Sequence, residues 1–158
     1  MTDPFTPALT FAFEIRADLS PSLHIGHGDG ESTDFTPIIG GTVEGPMLRG
    51  KVLPGGGDWS STRGRICQLD ARYLLQADDG AVIDIVNRGY YHEEESAGPD
   101  QYDGDLQVAK AGIYYRTSPT FRTDAPDHRW LAQTVFVGLA RPAGVDEHAV
   151  AIRMYALL

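Results

Sequence analysis

Ile66-Cys67-Gln68-Leu69-Asp70-Ala71-Arg72-Tyr73-Leu74-Leu75-Gln76, then Asp78-Asp79-Gly80, then Ala81-Val82-Ile83-Asp84-Ile85-Val86-Asn87-Arg88, read as two strands joined by a tight turn. Leu69, Ala71, Tyr73 and Leu75 recur at every second position, as do Ile83, Ile85 and Asn87, so each strand presents one apolar face. The Asp79-Gly80 step supplies the positive φ that a short hairpin turn demands. Each apolar face nevertheless carries one polar member, Tyr73 on the first strand and Asn87 on the second.

The same pattern continues outward. Leu9-Thr10-Phe11-Ala12-Phe13-Glu14-Ile15-Arg16 alternates strictly and predicts a strand with Leu9, Phe11, Phe13 and Ile15 on one face. His24 to Thr36 is Gly- and Asp-rich and reads as a loop. Pro37 to Glu44 and Met47 to Leu53 read as a strand pair broken at Gly45-Pro46. Further strands are expected over Gly112 to Thr117, Thr134 to Leu139 and Ala149 to Leu157. Asp124-Ala125-Pro126, with Asp as N-cap and Pro in the first turn, predicts a short helical turn through Trp130 and Leu131. The 18 glycines and 10 prolines fall at short intervals between apolar stretches, as strand punctuation does. Many short strands with hairpin-length links and no crossover helices predict an all-β fold: a single-domain antiparallel β-barrel spanning residues 1–158, with at most one short helical turn.

With 158 residues the chain can bury one substantial core. No apolar run approaches the ~18 residues of a membrane span, and Met1 to Pro7 lacks the basic and apolar regions of a secretory signal. A cytoplasmic location is the default expectation. Thirteen basic against 22 acidic residues give a net charge of −9, which argues against nucleic acid or an anionic membrane as partner. His92 to Asp105 holds Glu93, Glu94, Glu95, Asp100, Asp103 and Asp105 and reads as a mobile, solvated acidic loop. Cys67, the lone cysteine, excludes an intrachain disulfide and reads as a half-buried packing residue. His24-x-x-His27 with Asp29 has no diagnostic metal spacing, and His92, His128 and His148 stand singly, so neither a metal nor another cofactor is expected.

Ile39-Gly40-Gly41-Thr42-Val43-Glu44-Gly45-Pro46, Leu48-Arg49-Gly50 and Val52-Leu53-Pro54-Gly55-Gly56-Gly57-Asp58-Trp59 are followed by Leu69-Asp70-Ala71-Arg72-Tyr73, Asp79-Gly80 and Asn87-Arg88-Gly89. In this order, and with Tyr115-Arg116-Thr117, Phe121, Trp130-Leu131 and Phe136-Val137-Gly138 beyond them, the chain resembles the bacterial and fungal proteins of domain of unknown function family 3237. The resemblance implies a one-domain β-barrel and carries no assigned chemistry.

The candidate site is built from the residues themselves. Three consecutive glycines, Gly55 to Gly57, permit backbone geometry closed to other residues and deliver an acid and an indole at their exit. Asp58 is therefore either a general acid or base with Trp59 as a pocket wall, or a cap on the glycine turn with Trp59 plugging the barrel end. Tyr73 and Asn87, polar exceptions on inward faces, either pair with one another or contact a ligand. Arg116 offers a guanidinium to an anionic substrate group, although an arginine on a strand is more often a surface ion-pair partner. Asp70 and Arg72, on the opposite parity, read as a surface pair. The catalytic candidates are thus Asp58, Asn87 and Arg116, with Trp59 and Tyr73 contacting substrate. They suit a cofactor-independent isomerase, lyase or cyclase acting on a small cyclic or aromatic carbonyl compound. Two alternatives stay open: a non-catalytic small-molecule carrier, or a structural module that self-associates into a homo-oligomer.

Overall fold

The computed structural model describes residues 3–93 and 112–158. Ten strands form one antiparallel sheet: β1 (Leu9–Leu19), β2 (Leu23–Gly28), β3 (Glu31–Glu44), β4 (Gly50–Val52), β5 (Gly56–Arg63), β6 (Ile66–Ala77), β7 (Val82–Glu93), β8 (Ile113–Arg122), β9 (Val135–Ala143) and β10 (Ala149–Leu157). The order β1-β10-β9-β8-β7-β6 continues through β4 and β5, which share one lane between β6 and β3, and β3 returns to β1. The result is a closed eight-lane barrel. Two 3₁₀ segments, Pro126–Gln133 and Val145–Glu147, complete the described structure. Among the described residues no helix is long and apolar enough to cross a membrane.

The hairpin expected around Asp79-Gly80 is present as β6 and β7, with Tyr73 opposite Ile85 and Ala71 opposite Asn87. Elsewhere the structure differs from what the sequence predicts. A bulge between Phe11 and Phe13 flips the parity of β1. Phe13 and Ile15 are buried, whereas Phe11 lies on the outer face against Tyr155, under the Arg153 guanidinium. The expected loop from His24 to Thr36 is instead a second hairpin: β2 and the start of β3 meet at Asp29-Gly30, where both residues take positive φ, 52° and 76°, whereas at Asp79-Gly80 only the glycine does, at 91°. Gly56–Arg63 forms a strand that its polar composition concealed. The 3₁₀ segment at Pro126 starts where expected, but Ala125 occupies the cap position without a side-chain hydrogen bond, so Asp124 does not cap it. β7 runs through His92 and Glu93 as strand. The rest of the expected acidic loop lies outside the described residues.

The barrel is packed at one end. Phe13, Phe121 and Phe136 make tilted and edge-on contacts with centroids 5.1–6.2 Å apart, and Trp130 abuts Phe136 from the 3₁₀ segment. Leu131, Ile15, Leu75, Ile83, Ile85 and Met154 fill the space between them. Burying such a set supplies most of the driving force for folding, at ~25 cal/mol per Å² of apolar surface. Outside, most charges pair across strands, with Arg16 and Asp18 pairing along β1 at 3.5 Å. Arg88 reaches Asp70 at 3.1 Å, and Arg72 and Arg122 both reach Asp84, at 2.9 and 3.3 Å. The expected Asp70–Arg72 pair is not among these contacts.

Closure depends on the β1–β3 seam. Gly40 and Gly41 take φ of 155° and 142°, and a Cβ on Gly41 would run into the Arg16 carbonyl. Gly41→Ala is expected to destabilise the barrel by about 3 kcal/mol or more, read from urea denaturation. Gly55→Ala, with positive φ but open space around it, should cost only about 1 kcal/mol.

Candidate active site

At the other end the barrel is hollow. A cavity of about 340 Å³ opens between the ends of β1 and β9 and the starts of β6, β8 and β10. The dimensions suit a small organic ligand. Its walls combine Leu19, Ile38, Leu69, Ala71 and Ile152 with a polar set comprising Asp58, Ser60, Cys67, Asn87, Thr117 and the phenols of Tyr73, Tyr91 and Tyr115.

Each polar group is placed by strand parity. On β5, Asp58 and Ser60 alternate with Trp59, and Asp58 lies opposite Thr36 of β3 and Ala71 of β6. The glycines before it allow this approach: a Cβ on Gly56 would collide with the backbone of Arg72 and Tyr73, and one on Gly57 with the Phe35 ring. In one register row Asp58 and Asn87 flank Ala71, so their backbones stand two strand spacings apart, about 9.6 Å, with only a methyl group between them.

The electrostatics follow from burial. Asp58 loses water, which raises its carboxyl to about 6, against a hydrogen bond accepted from the Asp70 backbone N–H at 2.9 Å that pulls the other way; the nearby Asp70 charge adds to the rise. Burial also pushes the Tyr73 and Tyr115 phenols well above their usual range, and the Asp58 charge pushes both further. These phenols stay protonated throughout the physiological range. Burial likewise raises the Cys67 thiol, beside the hydroxyls of Thr62 and Ser60, so it is a weak nucleophile. Asn87 lies close enough to favour the ionised Tyr73 slightly, yet no hydrogen bond of normal geometry joins them. The Tyr73 hydroxyl, Asn87 Oδ1 and Thr117 Oγ1 are all buried without a partner among the described residues.

Of the five residues singled out from sequence, the structure brings together Asp58, Tyr73 and Asn87. Trp59 is neither wall nor plug: it is 48% exposed on the outer face, its ring tilted against Phe35 with centroids 4.7 Å apart. Arg116 also lies outside the cavity, because it alternates with the inward Tyr115 and Thr117. It borders an external groove with Arg88, Tyr90 and Leu139, donates to the Tyr115 carbonyl at 2.9 Å, and sits over the Tyr114 ring. Tyr115 and Thr117 were not among the candidates read from sequence. Their signal in the sequence is the alternation of β8, which runs from Tyr115 through Thr117 to the buried Phe121. His24 faces Asp34 at 2.9 Å, and no group of His, Cys, Asp or Glu among the described residues is arranged to hold a metal ion.

The family model for the protein of unknown function DUF3237 matches residues 7–157. The chain belongs to this family. A relative from Clostridium acetobutylicum, a UPF0311 protein, is 41% identical over 135 residues, covering 79% of this chain and 80% of the relative. The crystal structure of a β-barrel-like protein from Acinetobacter baumannii superposes with a TM-score of 0.82 at 31% identity, covering all of both chains. The hydroalkoxylation enzyme phnH of Penicillium herquei is 34% identical over 82 residues, 51% of this chain and 54% of phnH.

The raised Asp58 carboxyl has a consequence for stability. Its protonated form is the one the fold prefers, so the contribution is fully present below about pH 4 and is lost as pH rises through about 6. Asp58→Asn keeps an acceptor for the Asp70 N–H and removes the buried charge. The variant is expected to be more stable than the parent by about 2 kcal/mol at pH 8, with the gap closing by pH 4. Denaturant titrations at the two pH values check this.

Proposed function

We propose that the cavity is an active site for proton transfer, in which Asp58 is the base and the phenols of Tyr73 and Tyr115 are the hydrogen-bond donors. The substrate class is a small cyclic or aromatic carbonyl compound, and the reaction is of isomerase, lyase or cyclase type, needing no cofactor. One observation carries the reading: a half-buried carboxyl, raised to about 6 by loss of water, shares the cavity with the buried phenol of Tyr73 and the half-buried phenol of Tyr115, both of which remain protonated. Pairs of titratable groups driven apart by their surroundings divide naturally into base and acid.

In the simplest step Asp58 takes a proton from a substrate C–H or O–H beside a conjugated carbonyl. The electron pair moves onto the carbonyl oxygen, and the phenols stabilise the developing oxyanion. Return of the proton at a different atom completes an isomerisation. If the oxygen that lost its proton instead attacks the conjugated C=C bond, a C–O bond forms and a proton is later taken up at carbon, closing a ring with no net oxidation. The name of the relative phnH, a hydroalkoxylation enzyme, denotes addition of an O–H across a C=C bond, which is chemistry of this kind. A packed structural module would have no use for a cavity bearing buried, unpartnered polar groups.

Solvent exchange tests the proposal whatever the natural substrate is. In heavy water the protein is expected to accelerate deuterium uptake at the acidic carbon of β-tetralone above the buffer rate. The enzymatic part should rise with pH through about 6 as Asp58 ionises. Asp58→Asn should lower it about 100-fold or more, and Tyr115→Phe about tenfold or more. Saturable binding of β-tetralone with no exchange above buffer would make the barrel a carrier.

A further inference from the structure

The proton-transfer reading uses Asp58 and the phenols and leaves two buried groups unexplained. Asn87 is 3% exposed and Thr117 is 5% exposed; both line the cavity, and neither Asn87 Oδ1 nor Thr117 Oγ1 has a partner among the described residues. A buried polar atom left unsatisfied forfeits its hydration without replacement. The two residues are diagonal neighbours: Asn87 on β7 lies opposite Pro119 on β8, two residues along the same face from Thr117. Their Cβ atoms are therefore about 7 Å apart, close enough for one ligand oxygen to reach both side chains. Asn87 Oδ1 calls for a donor, and the Thr117 hydroxyl can act as one. A hydroxyl group that donates to the first and accepts from the second answers both.

Charge narrows the choice further. Among the described cavity-lining residues the ionisable charges are the carboxyls of Asp58 and Glu147, and no arginine or lysine joins them. An anionic group on Asn87 and Thr117 would face the Asp58 carboxylate two strands away in a poorly solvated space. An uncharged hydroxyl would meet no such repulsion.

We propose that Asn87 and Thr117 form an anchoring subsite for an uncharged hydroxyl of the substrate. The cavity then takes a neutral ring compound with oxygen functions on both sides of the ring, one held by the anchor and one presented to Asp58, and rejects carboxylates. Presentation to Asp58 rests on that residue being the base; the anchor itself does not.

Calorimetric titration with resorcinol, meta-methoxyphenol and meta-hydroxybenzoate tests it. In the parent protein resorcinol should bind about tenfold more tightly than either of the others, since only it offers two uncharged hydroxyls. Thr117→Val and Asn87→Leu should each bring resorcinol down to the affinity of its methyl ether. Because each removes an unpartnered buried polar atom, the melting temperature should hold or rise. The proposal is overturned if resorcinol and meta-hydroxybenzoate bind equally, if the variants keep the preference for resorcinol, if resorcinol shows no saturable binding, or if Thr117→Val lowers the melting temperature. Failure of the base assignment looks different: Asp58→Asn would retain deuterium exchange while the Asn87- and Thr117-dependent preference for resorcinol persisted.

Discussion

Closure of the sheet through β1 is the constraint on which the rest depends. This strand hydrogen-bonds to β10 along one edge and to β3 along the other, so it is the seam of the barrel. Closing a sheet removes its exposed edges and gives every strand an inside and an outside. Two local devices make the seam possible. The bulge at Phe11–Phe13 re-aims β1 so that Phe13 enters the aromatic cluster, and the Gly40-Gly41 pair allows the backbone of β3 to press against Arg16. Once the seam is made, parity alone decides that Asp58, Tyr73, Asn87, Tyr115 and Thr117 face one space.

The two ends of that space are linked energetically. Three phenylalanines, Trp130 and a set of large aliphatic side chains fill one end, and this packing can carry an opposite end that is open and partly polar. Large side chains at the packed end give way to Ala71, Gly89 and Gly138 on the rows at the hollow end. Of these, Ala71 leaves room between Asp58 and Asn87. The hollow end contributes little to stability and works against it where the Asp58 charge and the unpartnered polar atoms are buried. Costs of this kind are characteristic of sites preorganised for a ligand or a transition state.

What could be read from the sequence was what hydrophobic alternation encodes. β6, β7 and β10 were legible because each has one buried face, and Tyr73 and Asn87 stood out as exceptions on such faces. The β2–β3 hairpin was not, since His24, Gly26, Ser32, Thr33 and Asp34 border no apolar core and leave only the Asp29-Gly30 turn as a signal. In β1 the alternation was real and still misleading, because a bulge inserts one residue and exchanges the faces without changing the composition. Trp59 failed for a related reason. Its neighbour Asp58 faces the cavity, and in a strand two adjacent side chains cannot share a face.

Arg116 shows why charge at the site could not be inferred from residue type. Arginines are distributed along these strands on the outer parity, where Arg72, Arg88, Arg122 and Arg63 meet Asp84, Asp70 and Glu31 in solvent. Such exposed pairs contribute at most about 1 kcal/mol each, but they keep the guanidinium groups on the water side of the wall. Asp58 is therefore half-buried among neutral groups, and the charge that acts on it is a second carboxylate, Asp70. A guanidinium inside the cavity would have drawn its carboxyl below the usual carboxylate range and made it a poor base near neutrality. The outward placement of Arg116 takes its guanidinium out of the cavity, and by the same geometry it leaves Asp58 with a carboxyl at about 6.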